Sequence, residues 1–405
     1  MLYRQMGKTG DMVSALGYGC LRFPRKNGRV DEERTERQIV SAVERGVNYF
    51  DTAYIYTGNE AILGRILERT GLRDRVYIAT KMPTFLIHSR QDMENTLQTS
   101  LDRLRTGRID YYLIHSLMSL NGWQRLCELG VEEFLAQQRE TGRIVRVGFS
   151  YHGDKTQFPL LVDAYPWDFC QIQYNYLDEH FQAGTEGLQY ASAKGLGVIS
   201  MEPLRGGLLG ANAPDAVRAV WDRADVKRSP AEWGLRWVWN HREISTLLCG
   251  MNEEAHIGEN IRAASDALPG AMTGAELALA DEAKAVYQKL IKVGCTGCGY
   301  CLPCPAGVNI PQCFTYYNDF HFFRKHLFKT KYLTSSIGTF GSDPSYASLC
   351  RDCGKCEKHC PQGLPIRRHL GEVAKEMEPF YLKPVSRLVR GYYGMRKRNR
   401  IKAKD

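Results

Sequence analysis

The chain has 405 residues, of which 43% are hydrophobic and 24% charged, a globular composition too long for one average domain. No apolar run approaches the roughly 18–20 residues that span a bilayer, and the amino terminus, MLYRQMGKTGDMV, lacks the apolar stretch of a secretory signal, so a cytoplasmic protein without a transmembrane segment is expected. The formal charge of +9 is concentrated at one end: residues 380–405 hold nine Lys/Arg and one Asp, +8 of the total, which leaves the body of the chain nearly neutral.

Eight short, β-rich apolar runs follow one another over the first 250 residues: VSALGYG, VNYFDTA, VYIATKM, IDYYLIH, IVRVGFS, FCQIQYN, LGVISME and ISTLLCG. Stretches of helical periodicity, such as SRQDMENTLQTSLDRLR and SPAEWGLRWVWNH, separate most of them. Near-continuous apolar strands imply burial on both faces of a parallel sheet. Eight strand–helix units over about 250 residues match a closed (β/α)8 barrel of the TIM type. The alternative is an open doubly wound sheet, which calls for an early G-x-G-x-x-G turn that GYGCLR at Gly17–Arg22 does not complete.

Several chemically active residues fall at the carboxyl ends of these runs. Asp51 ends the second and Tyr56 lies in the loop after it; Lys81 ends the third and His115 the fourth. Carboxyl ends of barrel strands converge on the face where barrel active sites lie. Singly, each residue has a structural explanation, Asp51 as a turn cap and His115 as a core histidine. Together they suit protonation of a carbonyl oxygen while hydride reaches its carbon. A lysine ammonium about 4 Å from the phenol would lower the tyrosine pKa by up to about three units at an effective dielectric of about 20. Asp51 would orient Lys81, and His115 would orient the substrate carbonyl.

Helical patterning continues to about Leu290, and then the composition changes. We place the boundaries at 1–291 for the barrel, 292–378 for a cysteine-rich domain and 379–405 for a basic tail. Nine of the 13 cysteines lie between Cys295 and Cys360; clustered in a chain of this kind, they read as metal ligands rather than disulfides. CTGCGYCLPCPAGVNI (Cys295–Ile310) and CRDCGKCEKHCPQGLPI (Cys350–Ile366) repeat the form C-x-x-C-G-x-C…C-P-x-G-x-x-I. The second is the bacterial ferredoxin run for a [4Fe–4S] cluster, in which the fourth cysteine ligates the other cluster. Two clusters are therefore expected, one on Cys295, Cys298, Cys301 and Cys360, the other on Cys350, Cys353, Cys356 and Cys304. Structural zinc is the rival, although zinc sites pair well-separated C-x-x-C knuckles. Cys313 lies outside the repeat and is not assigned as a ligand. Nine Phe/Tyr between Phe314 and Phe340 point to a packed, mainly helical insert. Cys20, Cys127, Cys170 and Cys249 read as small buried hydrophobes.

With these residues quoted, the first 290 positions resemble the aldo/keto reductase family. The likeness runs through YRQMGKTGDMVSALGYG, the D-T-A-x-x-Y motif at Asp51–Tyr56, Lys81, His115, GFS at Gly148–Ser150, QIQYN at Gln171–Asn175, PLRGG at Pro203–Gly207 and EN at Glu259–Asn260. The whole chain resembles the subgroup with a carboxy-terminal ferredoxin-like iron–sulfur domain. The resemblance implies NAD(H) or NADP(H) bound without a Rossmann fold, and Asp51, Tyr56, Lys81 and His115 as the catalytic tetrad. It implies that Ser150 and Gln171 hold the nicotinamide amide, and that Glu259 and Asn260 lie near the adenine. Three positions depart from the pattern. Tyr151 follows Ser150 where many relatives have Asn, and Met201 stands where many have an aromatic residue. Cys249–Ile257 lacks the Lys and Arg that hold a 2′-phosphate, with Gly250 and His256 in their places.

The expectation is an oxidoreductase acting on a small carbonyl or alcohol, with room for a redox partner protein and none for nucleic acid. Nicotinamide moves a two-electron hydride and a cluster one electron, and no flavin motif joins them. The alternative is an electron-transfer or assembly subunit with a non-catalytic barrel. The basic tail reads as a solvated end, with an acidic partner, an anionic membrane or nucleic acid as its other readings.

Overall fold

The structure is a computed structural model; it describes residues 1–27, 29–207, 209–211, 213–295, 301–323, 326–338, 343–360 and 363–391. The chain divides into two compact units, Met1–Ala213 with Arg218–Glu282, and Pro214–Val217 with Ala283–Asp405.

All eight apolar runs form strands: β1 Leu16–Gly19, β2 Tyr49–Asp51, β3 Tyr77–Pro83, β4 Ile109–Leu117, β5 Ile144–Tyr151, β6 Phe169–Gln173, β7 Gly197–Met201 and β8 Ile244–Cys249. They close in that order into a parallel barrel, β8 pairing with β1 through Leu247↔Leu16. The open-sheet alternative is thereby excluded. Helices return the chain between strands, and short polar side chains start several of them. Ser89 accepts from the Asp92 N–H and caps Arg90–Leu104, whose buried Met93, Thr96, Leu97, Ser100, Leu101 and Leu104 follow the helical period. Ser229 caps Pro230–Trp239, with proline in the first turn, where its missing N–H costs nothing.

The barrel is filled, not hollow. Tyr49, Ala79, Tyr111, Leu113, Phe169, Ile199 and Leu248 pack inside it, and Met6 closes the amino-terminal end. A hairpin of Tyr3–Gln5 against Met12–Ser14 carries that plug. Gly7, at φ +50°, makes its tight turn; a Cβ there would sit 2.2 Å from the Gly197 nitrogen, so no other residue fits. The Phe169 ring meets Tyr111 edge-on at 5.1 Å.

The second unit has a core of its own. Val293, Val308, Ile310, Phe314, Tyr317, Ile366, Leu370 and Val373 pack together. The aromatic segment is helical, Ile310–Phe323 followed by Leu327–Ser336, and Ile366–Met377 packs in the same core. No helix of the described residues is long and apolar enough to cross a membrane.

All six tryptophans, Trp123, Trp167, Trp221, Trp233, Trp237 and Trp239, lie in the first unit. Their fluorescence therefore follows the barrel. Phe169→Ala empties the centre of the barrel and should cost about 3–5 kcal/mol. Urea titration followed by tryptophan emission should show a lower midpoint; an unchanged midpoint would show that the barrel centre is not tightly packed.

Candidate active site

Strand register brings the four candidate residues together. Asp51 ends β2 opposite Ala79 of β3, Lys81 stands opposite Leu113 of β4, and His115 faces Pro83. Tyr56 sits in a turn in which its N–H bonds the Ala53 carbonyl and its own carbonyl accepts from the Asn59 N–H. The Asn59 side chain in turn donates to the Cys20 carbonyl at 2.7 Å, which ties that turn to the end of β1.

Lys81 is almost fully buried, and its ammonium makes two contacts: Asp51 Oδ2 at 2.5 Å and the Thr52 carbonyl at 2.7 Å. Two charges out of water require such a geometry, because desolvation otherwise exceeds their attraction. Burial pushes the Asp51 carboxyl above its usual range, and Lys81 opposes that shift. Lys81 Nζ lies 5.5 Å from the Tyr56 ring centroid. The His115 ring stands edge-on to Tyr56, with centroids 6.3 Å apart. Both rings are half-buried, as expected of side chains lining a cleft.

The electrostatics correct one expectation. Tyr56 is not activated by Lys81; its pKa is raised, first by burial and then by the charges of Asp51 and Glu202 and by Cys20, with Arg22 opposing. Burial is the leading cause; the Lys81 ammonium itself is paired with Asp51. The phenol is held protonated. His115 is pushed well below its ordinary value by burial, with Lys81 and His152 adding to the shift. It is a neutral imidazole, and its Nδ1 is buried without a hydrogen-bond partner among the described residues.

The backbone around this cleft is strained. Ser116, Gln182, Glu202 and Arg205 have φ of 54°, 55°, 55° and 45°, conformations that cost of the order of 1–3 kcal/mol each and gather at functional sites. Ser116 sits in an irregularity of β4 between Ile114 and Leu117. Its N–H donates to Ser150 Oγ at 2.8 Å. That bond fixes the end of β4, next to His115, against β5.

Ser150 and Gln171 are register partners on β5 and β6 and are nearly fully buried. Gln171 Nε2 contacts Met201 Sδ at 3.4 Å. Its Oε1 is buried with no partner among the described residues. An orphaned acceptor is costly unless a ligand completes it. A primary amide N–H is such a donor, so the position fits a nicotinamide carboxamide. Gly250 follows β8, close to the Arg22 side chain. Glu259 accepts from Ser229 Oγ, and Asn260 donates to Cys249 Sγ at 3.3 Å, both from the helix Glu254–Ala264. The start of that helix is acidic: Glu253 and Glu254 each hold Arg34 at 2.5 Å.

Three residues near the cleft, Arg22, His152 and Glu202, escaped the sequence reading, and Cys20 was read there only as a small buried hydrophobe. Each acts electrostatically on Tyr56 or His115. Their signal was available, because each stands within three residues of a strand's carboxyl end. Tyr151, one of the departures, points elsewhere, its hydroxyl bonding the Asp154 carbonyl.

In the second unit, Cys295, Cys301, Cys304, Cys350, Cys356 and Cys360 are half-buried against the core and Cys353 is exposed. Cys298 lies outside the described residues. The two repeats share a turn. The Gly307 N–H bonds the Cys304 carbonyl and the Gly363 N–H bonds the Cys360 carbonyl, both glycines having positive φ. Ile310 and Ile366 then each open a helix. Among the described residues no three Cys, His, Asp or Glu side chains converge on one ion position. Cysteines in two such runs are the donor type that an iron–sulfur cluster takes. Cys313 is buried in the core near Tyr332 and the Ser345 carbonyl.

The chain belongs to the aldo/keto reductase family, whose family model matches residues 15–273, and a 4Fe-4S dicluster domain model matches residues 294–364. An L-galactose dehydrogenase of Arabidopsis thaliana is 26% identical over 284 residues, covering 65% of this chain and 88% of that protein. An uncharacterized oxidoreductase of Bacillus subtilis is 30% identical over 242 residues, covering 53% of this chain and 69% of that one. The holo form of an aldo-keto reductase from Bacillus halodurans shares the fold, with a TM-score of 0.59 at 23% identity over 70% of this chain and 96% of that chain. The protein is thus an oxidoreductase of this family with an iron–sulfur domain.

Asp51→Asn leaves Lys81 buried without its counter-charge and should cost about 3–5 kcal/mol. The double variant Asp51→Leu/Lys81→Met removes both charges and should recover most of that loss. Tryptophan-monitored unfolding of the single and double variants checks this; equal destabilisation by both would show that the two residues do not act as a buried ion pair.

Proposed function

We propose that the barrel interconverts a small carbonyl and its alcohol with a bound nicotinamide, and that the second unit holds two [4Fe–4S] clusters. The reading is carried by one observation: the half-buried Tyr56 and His115 rings meet edge-on, with the register partners Ser150 and Gln171, whose Oε1 lacks a partner among the described residues, on the adjoining strands. When bound, the nicotinamide supplies or accepts the hydride.

Tyr56 is the proton donor to the carbonyl oxygen, and its raised pKa keeps it in the donating form across neutral pH. His115, uncharged, presents an imidazole N–H to the same oxygen and fixes its direction. Asp51 holds Lys81, and the pair anchors the floor of the cleft against β2 and β3. Gln171 and Ser150 orient the carboxamide. His152 and Glu202 add hydrogen-bonding groups at the rim. They suit a hydroxylated substrate, and the plant relative, a dehydrogenase of L-galactose, points the same way. On the nucleotide's far side, the acids around Arg34 and the absence of Lys and Arg in Cys249–Ile257 favour NAD(H) over NADP(H).

The clusters, when bound, supply one-electron transfer. Cys295, Cys298, Cys301 and Cys360 would hold one and Cys350, Cys353, Cys356 and Cys304 the other, by the crossover of two-cluster ferredoxin runs. A redox partner protein is part of this reading, as the clusters need a source or sink of single electrons.

Tyr56→Phe should keep nucleotide binding and lower kcat by about three orders of magnitude or more. Steady-state assays with small hydroxylated carbonyls, together with nucleotide titration, test it; undiminished kcat would remove Tyr56 from the mechanism. The pH dependence has a definite sign. Reduction needs the protonated phenol, so kcat/KM in that direction should hold until pH rises through the raised pKa. Oxidation needs the phenolate and should climb by up to about tenfold per pH unit through the alkaline range. Run with both nucleotides, the assay should favour NADH.

Anaerobically purified protein should contain about eight iron and eight sulfide per chain. Cys360→Ser should perturb the cluster on Cys295, Cys298 and Cys301, and Cys304→Ser the other. EPR or Mössbauer spectra with independently assigned clusters decide; if each substitution affects only its own run, the crossover is wrong.

A further inference from the structure

The carboxy-terminal end of the second unit bears a surface that neither the cleft nor the cysteine runs use. Residues 382–391 are helical. The helix docks through Leu382, which belongs to the unit's core, and through Ser386, whose Oγ donates to the Ile337 carbonyl at 3.0 Å. Tyr381, Val385 and Leu388 follow at spacings of four and three, which aligns them along one flank of that docked face. Lys383, Arg387 and Arg390 align along the other flank. All six are exposed, Leu388 by 74%. Phe380, 96% exposed, stacks edge-on against Tyr381 at 5.4 Å. The sequence then adds Tyr392, Tyr393 and Met395, followed by six Lys/Arg and one acid up to Asp405.

We propose that this face docks the protein on an anionic lipid bilayer. Four neighbouring large apolar side chains left in water mark an interaction surface. The charge identifies the partner. Nine basic residues and one acid occupy 380–405, and a charge of one sign fits a diffuse anionic plane that asks for no matching geometry. A protein partner would have to offer an extensive acidic face of matching shape. A second copy fits worse, because it would bring two strongly positive ends together. An apolar flank beside a basic flank lets Phe380, Tyr381, Val385 and Leu388 enter the headgroup boundary while the long basic side chains reach lipid phosphates.

Sedimentation of the full-length protein with vesicles tests this, using phosphatidylcholine alone and phosphatidylcholine with about one-third phosphatidylglycerol, at about 0.1 M salt. Binding is expected to the anionic vesicles only, and to weaken as salt rises. Val385→Glu/Leu388→Glu should lower it by about tenfold or more, and Lys383→Gln/Arg387→Gln/Arg390→Gln should lower it as well. Far-UV circular dichroism checks that each variant keeps its helices, and Phe380→Ala, at a fully exposed position, serves as a milder second probe. Protein that stays in the supernatant with anionic vesicles overturns the proposal. So does binding that the apolar substitutions leave unchanged, and so does a concentration-dependent dimer, in analytical ultracentrifugation, that those substitutions abolish.

Discussion

The buried pair of Asp51 and Lys81 is the constraint on which the cleft depends. An ammonium enclosed among barrel strands is tolerable only with a counter-charge and further acceptors around it. Asp51 supplies the first and the Thr52 carbonyl the second. Both come from the end of β2, so the chain that leaves that strand is committed to a fixed path, and Tyr56 lies on it. Lys81 thus positions the phenol more than it ionises it. With its charge already met, it leaves burial as the leading influence on Tyr56, and burial favours the neutral acid.

A neutral acid beside a neutral imidazole is a particular kind of site. Under the proposed function it would give a carbonyl oxygen two hydrogen-bond donors. The rim is where the fold is strained. Ser116 near the end of β4, Gln182 after β6, and Glu202 and Arg205 after β7 adopt left-handed conformations. Precision at the strand ends and irregularity just beyond them have the same origin. The parallel ladder fixes where each strand stops, and the loop must then turn sharply to bring a side chain back over the opening.

That division also explains what could be read from the sequence. The eight strands were legible because each is an apolar run buried on both faces. Asp51, Lys81 and His115 were legible because strand ends converge in any such barrel. The cysteine repeat was legible because thiolate spacing is set by chain geometry, and its two C-P-x-G turns are alike in the structure. The state of Tyr56 was not legible. Sequence places Asp51 and a lysine near a tyrosine, but not the burial that leads the shift of Tyr56. His152 and Glu202 were missed for a related reason: they stand just beyond the strands, where local conformation and not periodicity decides which side chain turns inward.

The two units differ in what holds them together. The barrel has a filled interior, capped helices and a buried ion pair, none of which needs a cofactor. The second unit packs a small core of which Phe314, Tyr317, Ile366 and Leu370 are the centre, with six cysteines half-buried against it. Metal–thiolate binding free energy is folding free energy when the ligands come from segments far apart in the chain, and the two runs here are separated by more than the length of a helix pair. A match to a 4Fe-4S dicluster domain is consistent with metal binding that is coupled to the folding of the second unit.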